Sequence, residues 1–304
     1  MDIVGSDQKN AIISLDSVTK RYGQTVGVAD LTFTLQRGII FGFLGPNGAG
    51  KTTTIRLILD LLRPSSGHIV ILGFPLPDVT TTIRQRCGYL AGDFSAYSHM
   101  TAAEYLHFIA AMRRRPAPSD LSLVERFHLN DSLNRKIRHL SHGNLQKLGI
   151  IQAFFHKPEL VILDEPTSGL DPLVKAEFYD FLFEYQREGK TVFFSSHDLA
   201  EVERISNRVG IIRDGRLVAL ENIEDLKKNR IRRLRILLRS PLDSLSIPQA
   251  TLLRQKGREY EYQFQGEVSR LLEILSGLPI EDFDFPEPNL EDIFMVYYGK
   301  NRHD

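Results

Sequence analysis

One stretch of this sequence decides the fold: Gly45-Pro46-Asn47-Gly48-Ala49-Gly50-Lys51-Thr52. It matches the pattern G-x-x-x-x-G-K-[ST]. An apolar run before it, Ile39 to Leu44, predicts a buried strand, and the run after it, Thr52 to Leu62, predicts a helix. The glycines let the backbone curl so that successive N–H groups point inward at phosphate oxygens. The helix adds the positive end of its dipole, so the stretch predicts a phosphate-binding loop.

Three side chains at the end of this loop complete the predicted phosphate site. Lys51 is expected to reach the β- and γ-phosphates of ATP, and the Thr52 hydroxyl is expected to bind Mg²⁺. Thr53 joins them among the nucleotide-binding residues. A chance glycine-rich turn is the competing interpretation, and the flanking strand and helix disfavour it.

Composition narrows the class of protein. The chain has 304 residues, of which 42% are hydrophobic and 25% charged, as in ordinary globular proteins. Basic and acidic residues both number 38, and this balance argues against a nucleic-acid partner. The polar start, Met1 to Asn10, has no signal-peptide pattern, and no apolar run is long enough to span a membrane. A cytoplasmic location is therefore expected.

Strands alternate with helices on both sides of a mostly helical stretch. This pattern predicts an α/β core of residues 1–221 that is interrupted by a helical insertion at about 93–157. Thr101 and Glu104 have the spacing of a capping box at the start of a helix in that insertion. The sequence pattern changes at about residue 222, and residues 222–304 predict a small α+β accessory domain.

A second acidic element follows the apolar run Leu160 to Leu163. Asp164, at the tip of this predicted strand, could hold the Mg²⁺, and Glu165 is a candidate general base for an attacking water. Strands often end in acids at a solvated edge, and without the loop that interpretation would be favoured. The phosphate-binding loop makes the functional interpretation the stronger one.

Four further segments carry a family resemblance. Leu140 to Lys147 resembles a signature motif, and Ser168 to Asp171 resembles a D-loop. His197 follows a predicted strand as a switch histidine does, and Tyr22 resembles an aromatic residue that stacks on adenine. Together with the loop, these segments resemble the nucleotide-binding subunit of an ATP-binding-cassette (ABC) transporter. The similarity covers roughly residues 12–220.

The resemblance implies a fold, partners and further site residues. The fold would be a P-loop NTPase cassette with a mixed sheet core. Ser141 and Gly143 of the signature, with Asp171, would bind the ATP held by a second cassette subunit, and His197 would contact the γ-phosphate. Ser141 can also cap its own helix. A separate transmembrane permease would hold the chain at the inner face of the cell membrane.

The sequence departs from the family pattern at two places. His142 and Asn144 stand where glycine and glutamine are commonest in the signature. Gly92 stands where the Q-loop usually has glutamine, and Asp93 follows it. One interpretation is that Asp93 replaces the missing ligand or that water fills the gap. The other is that Gly92 only gives hinge freedom before the helical insertion, and the two interpretations carry equal weight.

The carboxyl end favours an exporter. Pro288 to Phe294, followed by Tyr297 and Tyr298, is similar to the tail of exporter cassette subunits. A soluble cassette ATPase acting on ribosomes or DNA, and a nucleotide-gated binding module with little turnover, remain as alternatives. The basic run around Arg232 is interpreted as the solvated face of a strand rather than as a site for acidic phospholipids.

Overall fold

The computed structural model describes residues 10–77, 80–114, 121–228, 232–240, 242 and 245–286. The chain divides into two compact units, Met1–Glu221 and Asn222–Asp304. The strands of the first unit are β1 (Ala11–Tyr22), β2 (Thr25–Gln36), β3 (Ile40–Leu44), β4 (Ser66–Ile71), β5 (Phe74–Pro75), β6 (Cys87–Leu90), β7 (Leu160–Asp164), β8 (Thr191–Ser196), β9 (Arg208–Arg213) and β10 (Arg216–Asn222). Its helices are α1 (Lys51–Ile58), α2 (Thr80–Arg86), α3 (Ala102–Met112), α4 (Ser122–Arg126), α5 (His142–Phe154), α6 (Pro172–Arg187) and α7 (Leu199–Ile205).

Two sheets form the first unit and confirm the predicted α/β core. The larger has the order β10-β9-β3-β8-β7-β6, and β3, β6, β7, β8 and β9 run parallel within it. The smaller has the order β2-β1-β4-β5 and is antiparallel. Because parallel strands end at one edge of a sheet, the ends of β3, β7 and β8 lie side by side.

The central strands are buried along their whole length. Every residue of β3, β7 and β8 is buried, as expected for parallel strands covered on both faces. Aromatic rings fill one part of this core, where the Phe193 ring centroid lies 5.3 Å from that of Phe41 and 5.5 Å from that of Phe43. Such packing fixes the strand ends at which the polar residues begin.

The first helix is shorter than the sequence predicts. The apolar pattern predicts a helix that continues to Leu62, but α1 ends at Ile58. Asp60 follows with a φ of 54°, which is left-handed backbone that a continuing helix cannot adopt. Its carboxylate pairs with Arg63 at 3.1 Å. The apolar residues beyond Ile58 therefore pack from a turn rather than from a helix.

The predicted helical insertion contains α3, α4, α5 and two short 3₁₀ turns. The capping box at the start of α3 is confirmed, because the Thr101 hydroxyl accepts from the Glu104 N–H and the Glu104 carboxylate accepts from the Thr101 N–H. Ser141 caps α5 in the predicted way and accepts from the Asn144 N–H at 3.2 Å. Local side-chain bonds thus begin both helices.

The single cysteine lies at the start of β6. Cys87 is only 2% exposed, and burial raises the pKa of its thiol to about 12. Its backbone carbonyl accepts a hydrogen bond from Arg113 at 3.2 Å. The residue therefore acts as a small apolar side chain of the core.

The second unit contains α8 (Ile223–Lys228), β11 (Arg232–Leu238), β12 (Ala250–Lys256), β13 (Glu259–Phe264), α9 (Val268–Ser276) and β14 (Ile280–Asp284). Its strands form an antiparallel sheet in the order β12-β13-β11-β14. One face of the sheet packs on α9 around Leu234, Tyr262 and Leu271. The exporter-like tail, Pro288 to Tyr298, lies outside the described residues. None of the helices in the described ranges has the length and apolar character needed to span a membrane.

Candidate active site

The predicted phosphate-binding loop joins β3 to α1. Gly48 and Gly50 have φ values of 81° and 109°, which favour glycine. A Cβ on Gly45 would lie 2.5 Å from the backbone oxygen of Ile212, so the loop has no room for a side chain there. These constraints explain the glycines and leave the backbone N–H groups of the loop beside the start of a helix.

Lys51 lies across this loop. Its side chain is 5% exposed, and its ammonium donates a hydrogen bond of 2.6 Å to the Gly45 carbonyl. The same nitrogen lies 3.3 Å from Oε1 of Glu165. A buried cation is therefore held between the loop and the end of β7.

The predicted metal ligands converge. The Thr52 hydroxyl donates to Oδ2 of Asp164 at 2.7 Å, and the Ser195 hydroxyl donates to Oδ1 at 2.5 Å. Asp164 is 3% exposed, so both carboxylate oxygens are satisfied inside the protein. A Cβ added to Gly92 would lie 3.4 Å from this carboxylate, in ordinary contact. Gly92 thus borders the same spot.

Glu165 and His197 form the second polar pair. Oε2 of Glu165 lies 2.7 Å from Nδ1 of His197, whose side chain is 63% exposed. The Glu165 backbone has a φ of 50°, and its N–H donates to the Ser195 hydroxyl at 3.1 Å. This turn directs the carboxylate toward Lys51 rather than along the strand.

The signature residues pack against their own D-loop. A Cβ on Gly143 would lie 2.9 Å from the Gly169 carbonyl, and a Cβ on Gly169 would lie 2.2 Å from the His142 ring. Asp171 caps α6, accepting from the Val174 N–H at 3.0 Å, and this bond lowers the pKa of its carboxyl. Among the described residues, no hydrogen bond or ion pair joins Ser141 or Asp171 to the phosphate-binding loop.

Tyr22 lies at the end of β1 near the loop. Its side chain is 47% exposed, and the Lys20 ammonium is 5.5 Å from the ring centroid. A Cβ on Gly27 would meet the Tyr22 ring at 2.8 Å and the Thr53 methyl at 3.4 Å. Tyr22 and Thr53 therefore border the same glycine, which brings the predicted adenine and phosphate residues together.

Comparison with known proteins identifies this arrangement. The family model described as ABC transporter matches residues 28–168. The Nod factor export ATP-binding protein I of Cupriavidus pinatubonensis is 34% identical over 305 residues, which cover 97% of this chain and 93% of that protein. The chain belongs to the ABC transporter ATP-binding subunits. Like its family, this ABC subunit binds ATP and is an ATPase that energises a membrane transporter.

Other relatives agree with this assignment. An uncharacterised ABC transporter ATP-binding protein of a Nostoc species is 40% identical over 210 residues, which are 67% of this chain and 62% of that protein. A solved dimeric bacterial ABC transporter cassette is 26% identical, with a TM-score of 0.65 over 69% of this chain and 98% of that one. The predicted cassette fold is confirmed.

Two polar residues of this ABC subunit were not singled out from the sequence. Ser195 binds both the Asp164 carboxylate and the Glu165 N–H. Gln146, buried in α5, donates to the Pro166 carbonyl at 2.8 Å and so joins the signature helix to the turn after β7. A serine directly after a predicted buried strand was the available signal for the first. Gln146 lies within the signature segment Leu140 to Lys147, where the sequence alone assigns it no role.

Proposed function

We propose that this ABC subunit powers a membrane exporter by hydrolysing ATP in a composite site, with a separate permease forming the transmembrane pathway. The observation that carries the proposal is the meeting of three elements at one sheet edge. Lys51 of the loop, Asp164 at the end of β7 and the Glu165–His197 pair lie within a chain of contacts no longer than 3.3 Å.

The loop and its neighbours would bind the nucleotide. The backbone N–H groups of Asn47, Gly48 and Gly50 and the Lys51 ammonium suit the phosphates, and Tyr22 suits the adenine. Lys51 is already buried and aimed across the loop, so little reorganisation is needed to place its charge. Thr53 would contact the phosphates from the first turn of α1.

The residues present fit a magnesium ion. Thr52 and Asp164 supply a hydroxyl and a carboxylate whose oxygens lie 2.7 Å apart, and Mg²⁺ is commonly held by one or two such ligands with substrate phosphates. No cluster of three or more His, Cys, Asp or Glu side chains suited to a metal occurs in the described ranges. The ion would neutralise charge on the β- and γ-phosphates.

Glu165 is placed to act as general base. Its Oε1 has no hydrogen-bond donor among the described residues and is paired only with the Lys51 ammonium at 3.3 Å. Once Lys51 turns to the phosphates, this oxygen can accept the proton of an attacking water. His197 holds the other oxygen at 2.7 Å and thereby fixes the carboxylate orientation. His197 is largely exposed and can also donate from its other ring nitrogen to the γ-phosphate.

A second cassette subunit would complete the site. Ser141, Gly143 and Asp171 have no polar contact with their own loop among the described residues, whereas their motifs suit ATP recognition. The start of α5 offers N–H groups and a hydroxyl to an anion. The dimeric bacterial cassette with the same fold supports closure by a second copy or a homologous chain.

The export direction rests on the relatives. The Nod factor protein, by its name, serves export, and it aligns with nearly the whole of this chain. Because ABC ATP-binding subunits pair with transmembrane permeases, the pathway is assigned to the permease. The chain would then lie in the cytoplasm, bound peripherally at the inner face of the membrane.

Co-expression with a candidate permease tests this proposal. The complex in vesicles should hydrolyse ATP only when Mg²⁺ is present and should accumulate or expel a test substrate in an ATP-dependent way. Glu165→Gln should stop turnover and trap an ATP-bound dimer. An inactive complex whose Glu165→Gln variant traps no dimer would contradict the assignment.

Gly92 favours a second candidate, a nucleotide-gated module with little turnover. Glycine supplies no side-chain ligand beside Asp164, although the space accepts a Cβ at 3.4 Å. If missing ligation limits turnover, Gly92→Gln should raise it well above the parent. Gly92→Ala is the matched control because it stiffens the backbone without adding an amide. Equal turnover in all three proteins would count against the module.

A further inference from the structure

The second unit has a sheet face covered by charged side chains. The opposite face packs on α9, and the outward residues border an open cleft of about 480 Å³. We call this surface the charged sheet face. Its members are Arg254 and Lys256 of β12, Glu259 and Glu261 of β13, Arg235 of β11, and Asp282 and Asp284 of β14.

The charges alternate in sign from strand to strand. Register pairs Arg254 with Glu261, Glu261 with Arg235, and Arg235 with Asp284, so one row across the sheet reads plus, minus, plus, minus. The neighbouring row contains Lys256, Glu259, Leu237 and Asp282 in the same strand order. The β12 edge is therefore positive and the β14 edge negative.

Most charges of the two edges lie beside opposite charges on the inner strands but form no close ion pair with them among the described residues. In the centre, Arg235 lies 3.7 Å from Glu261, which also pairs with Arg233 at 3.4 Å. Arg254, Lys256, Asp282 and Asp284 form no ion pair with another described residue. Two strands separate the edges, about 14 Å at the usual strand spacing, which exceeds a Debye length of about 10 Å at 0.1 M salt. The edges cannot neutralise each other in one chain.

The balance of signs selects the kind of partner. Three basic and four acidic side chains line the cleft, and Arg233 adds a fourth basic one on the same face. This balance does not suit a polyanion such as nucleic acid or an anionic membrane. The row of charges reads plus, minus, plus, minus across the four strands. When a second copy of the row is laid against it in the opposite strand order, each charge faces one of opposite sign. A two-fold axis parallel to the strands, midway between β13 and β11, places β12 over the partner's β14 and β13 over the partner's β11.

We infer that the charged sheet face binds the same face of a second copy of this chain. Because this axis is parallel to the strands, each residue faces a residue of the same row in the partner. Arg254 then faces the partner's Asp284, and Lys256 faces the partner's Asp282. Packed sheets lie about 10 Å apart, a gap that long charged side chains can bridge from both sides. The contact is isologous, so each pair occurs twice.

This contact is separate from ATP-dependent closure of the cassettes. The test therefore uses the full-length chain without nucleotide, with self-association measured by sedimentation velocity over a range of protein and salt concentrations. The variants are Lys256→Glu and Asp282→Lys, alone and mixed in equal amounts. Arg270→Glu, on the exposed side of α9, is the matched charge-reversal control. Circular dichroism and ATP binding check that each variant is folded.

Complementary rescue is the decisive result. Each single variant places like charges together twice and should raise the Kd of self-association roughly tenfold or more. The mixture should restore association, since Glu at position 256 of one chain then meets Lys at position 282 of the other. The parent should weaken with salt, and the control should match the parent.

Three results would overturn the inference. The parent could be monomeric throughout, the reversals could leave the Kd unchanged, or the mixture could fail to restore association. A reversal that lowers only the melting temperature would show that the charges serve the sheet of one chain. None of these results bears on ATP turnover or transport, so the two proposals fail independently.

Discussion

Replacing Glu165 with glutamine should lower ATP turnover by about 10²- to 10⁴-fold, the range that a positioned general base contributes. At about 1.4 kcal/mol per tenfold, this corresponds to about 3–5 kcal/mol of barrier. The substitution keeps the volume and can keep the 2.7 Å contact with His197. It removes the carboxylate 3.3 Å from Lys51, so the buried ammonium keeps only the carbonyls of Gly45 and Pro46 and the phosphates as partners. ATP should therefore bind at least as tightly as in the parent.

Single-turnover hydrolysis and equilibrium ATP binding separate these effects. Glu188→Gln makes the same chemical change just after α6, near the opposite end of β8. This control should match the parent in both assays. A Glu165→Gln variant within threefold of parental turnover, with normal binding, would refute the assignment of Glu165 as base. A parallel loss of binding would show instead that the charge organises the loop.

Three further changes test the surrounding structure. Gly45→Ala should cost about 1–3 kcal/mol of unfolding free energy and weaken ATP binding, because its Cβ meets the Ile212 carbonyl at 2.5 Å; chemical denaturation and ATP titration would measure both. Ser141→Ala should lose about 1 kcal/mol through the cap, whereas Ser141→Asn keeps a capping side chain, so low ATPase activity with parental stability in the latter would assign the hydroxyl to ATP. Burial raises the pKa of Glu201 above its ordinary 4.5. Protonated Glu201 therefore contributes to the free energy of unfolding below pH 4.5, and this contribution is lost as the pH rises through the raised pKa. Glu201→Gln should thus gain in melting temperature relative to the parent as pH increases from 4.5; a constant difference would contradict this.

The parts of the site that follow local rules could be predicted from the sequence. The loop is a continuous motif, and Asp164 and Glu165 directly follow an apolar strand. Because parallel strands end at one edge, the order of motifs was enough to expect that these residues meet. The contacts between Thr52 and Asp164 and between Glu165 and His197 agree with that expectation. Their roles in binding and catalysis stay predictions.

Contacts that depend on burial could not be predicted in the same way. The strand predicted over Thr191 to Phe194 continues to Ser196, and Ser195 is fully buried because its hydroxyl binds Asp164. A serine whose partner is unknown is typical of a loop, so the sequence pattern does not predict that the strand continues through Ser195. The end of α1 could not be predicted because apolar residues continue past the turn at Asp60 and extend the helical pattern beyond the helix.

The state of Cys87 has a practical consequence for spectroscopy. Thiol-reactive dyes and spin labels react with the thiolate. Cys87 has a pKa of about 12 and is only 2% exposed, so at neutral pH almost no accessible thiolate is present. Since this is the only cysteine in the sequence, the parental chain can serve as an unreactive background without any substitution. A cysteine introduced on an exposed surface would then carry a single probe, and distances between two labelled copies could be followed during ATP turnover.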